Sequence, residues 1–422
     1  MNEILHEEKI PVRGEYDIIV AGGGVAGISA ALSAAARGKK VLLLEKANIL
    51  GGLATLGMIN YFVPMCNGRG IQIVTGLAEK LLRLSAQYSW DTIPEEWKDG
   101  EPADKENCRR YTCRYSPYIF ALLLMEEITK AGVELLYDCI ASEPVMENGV
   151  CLGVITESKS GREFCRGKMI IDTTGDADLL RRSGMPVVPG KNFYTYVGKG
   201  ITLASCKKAV ETGNIGNVYT GMNGGTVNLF GKNQPEDKPL WSGLTVDEVS
   251  DYLIDNQSLM LSRLKQTDRW TRDLVLLPGM PSFRTTCRID GDYTLKEEDV
   301  YKHFDDSVGA ICDFTYKDLL YEVPLRTLVR RGFPNLITAG RCAAGEGYAW
   351  DVLRVIPPAI LTGQAAGEAA VLAIEEGCAI GDVNITTLQT RLAEGGIIVH
   401  FDDAWVPADA QTRTEGENNG HI

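Results

Sequence analysis

The sequence lacks the cysteine spacings that mark a disulfide framework or a zinc site. Its 422 residues include 11 cysteines, an odd number, and no two of them form a Cys-x-x-Cys pair. This pattern favours reduced thiols in a cytoplasmic protein. The first 17 residues are charged and contain no apolar signal core, which agrees with that location. No metal site is predicted.

Positive charge is also scarce. The chain has 43 Lys and Arg against 56 Asp and Glu, a net charge of −13 and a pI of about 5.0. A nucleic-acid groove needs clustered basic residues, and an anionic membrane attracts them, so neither partner is predicted. The length and the 45% apolar content indicate a globular protein of about two or three domains.

Long uncharged runs are few, and one of them, residues 18–36, contains four glycines. It is long enough to cross a membrane, but its halves differ. Tyr16–Ala21 is typical of a buried parallel strand, and Val25–Arg37 is Ala-rich and favours a helix that ends at Gly38. With the second apolar strand, Val41–Leu44, these segments predict one βαβ unit.

Three glycines form the turn of that unit. Gly22, Gly24 and Gly27 have the dinucleotide-binding spacing, and Glu45 ends the second strand. Gly22 allows a tight turn, Gly24 lets a pyrophosphate approach the backbone, and Gly27 lets helix and strand pack closely. The helix N-terminus favours phosphates, and Glu45 can accept hydrogen bonds from ribose hydroxyls. This motif alone does not separate NAD from FAD.

Later segments resemble the FAD-binding two-dinucleotide-domain flavoproteins. The glycine pair of Gly51–Thr55 follows Glu45, and Ile170–Asp176 is an apolar strand that runs into a Thr-Gly-Asp turn. Two further segments follow in the order found in these flavoproteins: Asn335–Arg341, a strand that runs into a glycine, and the Gly-Gln-Ala-Ala-Gly segment 363–367. Together they resemble the bacterial FAD-dependent oxidoreductase family of the glutathione-reductase-like superfamily.

The resemblance implies an α/β fold with a discontinuous, Rossmann-like FAD-binding domain. A mixed α+β substrate domain is expected to be inserted in it. The expected boundaries are 14–58, 117–185 and 318–400 for the FAD domain, 186–317 for the substrate domain, 59–116 for a cover over their junction and 401–422 for a tail.

The same resemblance implies one bound FAD. The predicted cofactor-binding residues are Gly22, Gly24, Val25, Ala26, Gly27, Glu45, Lys46, Gly51, Gly52, Leu53, Ala54, Thr55, Ile140, Thr174, Gly175, Asp176, Gly340, Arg341, Arg354, Gly363, Gln364 and Ala365.

Arginines, rather than the four histidines, are the candidate substrate-binding residues. Arg284 and Arg288 are four apart and would share a face on either a helix or a strand. Either could clamp a substrate carboxylate, and either could instead form a structural ion pair. Arg354 precedes the helix that the resemblance aims at the flavin. Tyr348 and Asp351 are candidate proton donors or acceptors beside the ring.

The predicted function is an FAD-dependent oxidoreductase that transfers hydride between flavin and a small organic substrate, a carboxylate or a polyol. A flavin-carrying electron-transfer subunit is the alternative. A tRNA-modifying flavoprotein lacks support because no basic stripe is visible, and an NAD-dependent dehydrogenase leaves segment 363–367 without a purpose. A homo-oligomer is left open. The charged excursion 91–114, with Trp97 inside it and Trp90 just before it, is a candidate cover for the site, although most loop tryptophans simply pack.

Overall fold

The computed structural model describes residue 4 and residues 6–407. Its strands are β1 Val12–Ala21, β2 Val41–Leu44, β3 Tyr61–Phe62, β4 Cys113–Arg114, β5 Glu134–Leu136, β6 Ile140–Glu147, β7 Val150–Ser158, β8 Gly161–Asp172, β9 Val187–Pro189, β10 Lys199–Thr202, β11 Thr220–Gly221, β12 Arg272–Leu276, β13 Cys287–Ile289, β14 Ser307–Cys312, β15 Leu320–Pro324 and β16 Leu336–Thr338. Its helices are α1 Val25–Ala36, α2 Leu77–Gln87, α3 Pro117–Lys130, α4 Asp178–Arg182, α5 Leu203–Thr212, α6 Val246–Lys265, α7 Gly347–Leu353, α8 Ile356–Glu376 and α9 Ile385–Glu394.

The main sheet has a parallel half, ordered β5-β2-β1-β8-β16. Strand β8 is long enough to pair differently at its two ends, antiparallel with β7 over residues 161–166 and parallel with β16 over residues 170–172. The strands β1, β2, β8 and β16 therefore end together at Ala21, Leu44, Asp172 and Thr338. In open α/β sheets ligands bind at this carboxyl edge. The predicted α/β, Rossmann-like core is confirmed.

Helices α1 and α8 pack backbone to backbone beside this edge. A Cβ on Gly363 would lie 2.1 Å from the carbonyl oxygen of Ala26, and one on Gly367 would lie 2.5 Å from that of Ala30. The hydroxyl of Ser29 donates to the carbonyl oxygen of Ile360 at 2.8 Å. Because Gly363 meets Ala26 and Gly367 meets Ala30, the two helices run parallel, and the N-termini of both lie at the same edge of the sheet.

A second, aromatic core forms in the middle of the chain. Its buried members come from residues 194–283 and include Tyr196, Trp241, Tyr252 and Phe283. Helix α6 and the small sheet β11-β10-β12 belong to the same stretch of chain. Residues 295–312 instead contribute Leu295, Val308 and Ile311 to the main core. The separate core in this part of the chain thus spans fewer residues than the 186–317 expected for the substrate domain.

The charged excursion 91–114 is packed against the main core. Trp97 is fully buried and stacks on Tyr111, with ring centroids 4.8 Å apart. Its indole N–H donates to the carbonyl oxygen of Arg109 at 2.8 Å. Trp97 therefore serves packing, not a cover over the site.

Among residues 4 and 6–407, no single helix is long and apolar enough to cross a membrane. The helices α7 and α8 pass that test only as a pair, by length and composition, and they are bent by 75° at the break between them. Residues 408–422, most of the expected tail, lie outside the described residues. All 11 cysteines are free, and eight of them are buried.

A buried carboxylate ties the carboxyl-terminal segment to the β14–β15 hairpin. Glu322 is fully buried, and its oxygens lie 2.6 Å from His303 Nδ1 and 3.0 Å from His400 Nδ1. The other ring nitrogen of His303 lies 2.9 Å from Asp403. Hydrogen bonds to Asp403 and then to Glu322 raise the pKa of His303 above its ordinary value of 6.5.

We expect this contact to weaken as the pH rises. Because the folded-state pKa of His303 is raised, its stabilisation is fully present below the unfolded pKa of about 6.5 and is lost as pH rises through the folded value. Amide-exchange protection factors of residues 397–406 should fall over that window. In His303→Gln the fall should disappear, and in His6→Gln, an exposed control, it should persist. Equal pH dependence in wild type and His303→Gln would contradict this assignment.

Candidate active site

A cavity of about 700 Å³ lies at the carboxyl edge of the parallel strands. The N-termini of α1 and α8 and the loops after β2 and β8 form one side of it. Residues 279–284, at the end of the aromatic core, form the other side. The cavity therefore lies where the two cores meet, the usual place for a ligand site.

The three motif glycines have different environments. Gly22 has a φ of +106°, and a Cβ there would lie 2.5 Å from the carbonyl oxygen of Thr173. A Cβ on Gly27 would lie 1.9 Å from the carbonyl oxygen of Gly22. Around Gly24, by contrast, no described atom lies within 4 Å of a Cβ position. Gly22 and Gly27 thus serve the turn and its packing, and Gly24 leaves its backbone open to a ligand.

Glu45 is 7% exposed and lines the cavity. Its two oxygens accept one backbone hydrogen bond each, from Gly23 and from Ala47, both at 2.7 Å. Burial raises the pKa of this carboxyl, and the two backbone bonds oppose that effect. Each carboxylate oxygen has a second lone pair, so the side chain retains the capacity to accept hydrogen bonds from a ribose.

Most of the predicted cofactor-binding residues are brought together around the cavity. Those lining it are Gly22, Gly24, Val25, Ala26, Glu45, Lys46, Gly51, Gly52, Leu53, Ala54, Ile140, Thr174, Gly175, Gly340, Arg341 and Arg354. Predicted residues outside the lining are Gly27, Thr55, Asp176, Gly363, Gln364 and Ala365.

The segment around Gln364 needs a correction. Gln364 is 4% exposed, accepts a hydrogen bond from the backbone N–H of Leu77 at 2.8 Å and donates to the carbonyl oxygen of Gly395 at 3.0 Å. It lies two turns into α8, and its hydrogen bonds fix the helix against the segments that contain Leu77 and Gly395. The residues that line the cavity at this helix are Val355, Ile356 and Ala359.

Two buried side chains hold the strand ends in place. Asp172 accepts hydrogen bonds from the backbone N–H groups of Thr174 and Leu179, and burial raises its pKa to about 6. Arg341 pairs with Asp176 at 2.9 Å and donates to the carbonyl oxygen of Phe283 at 2.9 Å. Asp176 thus acts behind the cavity, by orienting an arginine that lines it.

The structure separates Arg284 from Arg288. Arg284 lines the cavity, and its backbone N–H donates to the buried amide oxygen of Asn192 at 2.7 Å. Arg288 lies in β13 and donates to the carbonyl oxygen of Ile289 at 3.2 Å. Its guanidinium is 3.9 Å from Glu346, so Arg288 takes the structural role.

Arg284 and Arg354 carry positive charge at one end of the cavity. Arg354 pairs with Asp351. Arg284 is partly buried, and no described residue forms an ion pair with it. Burial, followed by the nearby charge of Arg354, lowers the pKa of Arg284 to about 10, so it remains a cation at neutral pH. One uncompensated positive charge therefore faces this end of the cavity.

The remaining catalytic candidates lie outside the lining. Tyr348 is buried and its hydroxyl donates to Asp313 at 2.8 Å, within a group of aromatic rings. Asp351 is engaged by Arg354. No histidine of the described chain lines the cavity. Sequence reasoning missed Tyr61 and Phe283, which line it, because neither belongs to a motif; Phe283 is marked only by its position before Arg284.

The donor chemistry of the cavity fits a dinucleotide. Helix α1 has no side-chain hydrogen bond at its N-cap, so its first turn offers free backbone N–H groups to an anion. In the first turn of α8, Pro357 and Pro358 carry no N–H, so that turn contributes the N–H of Ile356. The open backbone at Gly24 suits a pyrophosphate, and the carboxylate of Glu45 suits a ribose.

Comparison with known proteins agrees with this interpretation. A family model described as FAD dependent oxidoreductase matches residues 17–195 and 273–392. An NADH:acrylate oxidoreductase from Vibrio harveyi is 36% identical over 107 residues, which cover 22% of this chain and 10% of that protein. The chain thus matches only a small part of this relative's length.

Solved structures with similar folds have low sequence identity. A geranylgeranyl bacteriochlorophyll reductase-like protein from Thermoplasma acidophilum is 14% identical with a TM-score of 0.43, covering 91% of this chain and 84% of that one. An L-proline dehydrogenase from P. horikoshii is 13% identical with a TM-score of 0.40, covering 92% and 100%.

Proposed function

The chain belongs to the FAD-dependent oxidoreductase family, and on this basis we propose that it transfers hydride between bound FAD and a small carboxylate held by Arg284 and Arg354. The observation that carries the proposal is the partly buried Arg284 guanidinium, which lines the cavity without an ion pair from any described residue. A buried charge is costly unless it is paired. A substrate carboxylate would supply the missing partner and could bind bidentately.

In this proposal, different residues of the cavity would hold the two ends of the cofactor. Gly24, Lys46 and Glu45 would hold the adenosine and pyrophosphate, and the N-terminus of α8 at Ile356 would face the flavin. The bound flavin supplies the two-electron redox step. The N-terminal end of the α8 dipole, with the N–H of Ile356, places positive partial charge there, which stabilises a developing negative charge.

A carboxylate suits this site better than a polyol. A polyol is neutral and would leave the charge of Arg284 uncompensated. The name of the Vibrio harveyi relative assigns it acrylate, a small carboxylate, which adds support over the short segment that matches. Arg354, paired with Asp351, would orient the second oxygen of such a group.

The test uses matched substrates of different charge. Oxidised protein is titrated anaerobically with saturated acids, hydroxy acids and a panel of polyols. Reduced protein is titrated with enoates. Each acid is compared with its own methyl ester. We expect one class of free acid to react, either by bleaching the oxidised flavin or by reoxidising the reduced flavin. The methyl esters should react at least about 30-fold less efficiently, since an ester cannot form the charge pair with Arg284. Equal reactivity of esters or polyols would contradict the proposal. Reaction with a protein partner but with no small molecule would favour an electron-transfer subunit.

A further inference from the structure

A second, smaller pocket of about 240 Å³ lies behind one wall of the flavin cavity. The wall is the segment 58–61, whose residues alternate between the two spaces. Met58 and Asn60 line the smaller pocket, whereas Ile59 and Tyr61 line the flavin cavity. The two spaces are therefore neighbours with separate linings.

Two cations from different parts of the fold line this pocket. Lys199 comes from β10, and Arg114 comes from β4. Neither side chain forms an ion pair within residues 4 and 6–407, and no acidic residue is in the described lining. The carboxylate of Asp91 is bonded to the backbone N–H of Arg114 at 3.1 Å, while the Arg114 guanidinium lies 4.7 Å from the centre of the Tyr61 ring.

The proximity of these cations is unfavourable unless an anion offsets it. Burial, followed by the charge of Arg114, lowers the pKa of Lys199. Like charges repel more strongly where water is partly excluded. An anion between the two side chains would pair with each cation, so it would offset their repulsion and raise the pKa of Lys199 again.

A hydrogen-bond donor completes the pocket. The indole N–H of Trp90 is buried, and no described residue accepts a hydrogen bond from it. A buried donor without a partner is uncommon and marks a place where a ligand or water is bound.

We propose that this pocket is a second ligand site, which binds a small oxyanion, a phosphate or a carboxylate, between Lys199 and Arg114 with Trp90 donating to it. The site is separate from the Arg284 site and does not depend on the proposed substrate. Its volume of about 240 Å³, against about 700 Å³ for the flavin cavity, restricts it to a small molecule. Since Tyr61 lies under Arg114, the occupied pocket also fixes one wall of the flavin cavity.

Calorimetric titration of the FAD-loaded full chain tests the proposal, with inorganic phosphate in one arm and malonate in the other at constant ionic strength. We expect saturable binding of at least one probe. Lys199→Gln should weaken it by at least about tenfold, because a charge-assisted contact is lost. Lys207→Gln, an exposed lysine of α5, makes the same change of charge and should bind like wild type. In the phosphate arm, Arg284→Gln should also bind like wild type, since Arg284 does not line this pocket.

Each outcome has a definite meaning. Binding of phosphate alone or of malonate alone supports the site and identifies its class of ligand. Absence of saturable binding, or equal weakening by Lys207→Gln, overturns the proposal. Loss in Arg284→Gln but not in Lys199→Gln places the anion in the flavin cavity and also overturns it. If Lys199→Gln loses its flavin spectrum, Trp90→Phe serves instead and should weaken binding severalfold.

Discussion

Arg284→Gln is expected to lower kcat/KM for a carboxylate substrate by about 30- to 1000-fold, since losing one partner of a buried, hydrogen-bonded charge pair costs about 2–4 kcal/mol. The physical reason is that glutamine keeps the approximate length of the side chain but removes a positive charge that lines the cavity and has no described ion pair. Steady-state kinetics with the acid identified in the substrate panel measures this change. The methyl ester of the same acid should be nearly insensitive to the substitution, because it brings no charge to the pair.

Arg288→Gln is the matched control. It removes the same group four residues further on, but from a side chain that contacts Ile289 and Glu346 outside the cavity lining. We expect a lower Tm with kcat/KM for the acid nearly unchanged. If Arg284→Gln leaves kcat/KM intact, or if both variants lower it equally, Arg284 does not bind the carboxylate.

Gly24→Ala is expected to remove FAD without unfolding the protein. The φ of Gly24 is −69°, which alanine adopts readily, and no described atom lies within 4 Å of the added methyl group. The methyl group would instead occupy the space through which the pyrophosphate approaches the backbone. FAD affinity should fall by at least about 100-fold, as expected when a close charge-assisted contact is blocked. Visible absorbance after gel filtration measures the loss, and circular dichroism checks the fold.

Gly27→Ala is the contrasting variant in the same turn. Its Cβ would lie 1.9 Å from the carbonyl oxygen of Gly22, so the helix and the strand must move apart. We expect a lower Tm of the apoprotein itself, whereas Gly24→Ala should leave the apoprotein Tm near that of wild type. Retention of FAD by Gly24→Ala would show that the cofactor does not pass over this turn.

The sequence predicts the parallel core well because its patterns are local. The predicted strand Val41–Leu44 matches β2 residue for residue, and the helix predicted at Val25–Arg37 is α1, which ends at Ala36. Helix α8 begins at Ile356 and contains prolines in its first turn, where proline is tolerated. These elements are determined by hydrophobic period and turn chemistry, which the sequence shows directly.

The roles of Arg284 and Arg288 could not be separated from spacing. A spacing of four places two residues on one face of a regular helix or strand, but Arg284 lies in a bend and only Arg288 lies in β13. Their side chains therefore reach different surroundings. Helix α5 was also missed, because its exposed Leu203 and Val210 weaken the pattern of an amphipathic helix.

The position of Gln364 shows a related limit. The motif suggested a cofactor contact, but close packing of α8 on α1 directs this part of the helix into the core, and the cavity meets only its first turn. Whether a residue of α8 contacts the cavity or the core depends on its distance from the start of the helix and on where α1, which is far away in sequence, packs against it. Local patterns do not contain that information.

A crystal structure of the purified protein with its cofactor tests the central claim most directly. We predict one FAD in the cavity at the carboxyl edge of the sheet, with its ribose at Glu45, its pyrophosphate over Gly24 and its flavin between the N-terminus of α8 and Arg284. A nicotinamide nucleotide in that cavity, or a flavin bound away from Glu45 and Ile356, would contradict the account.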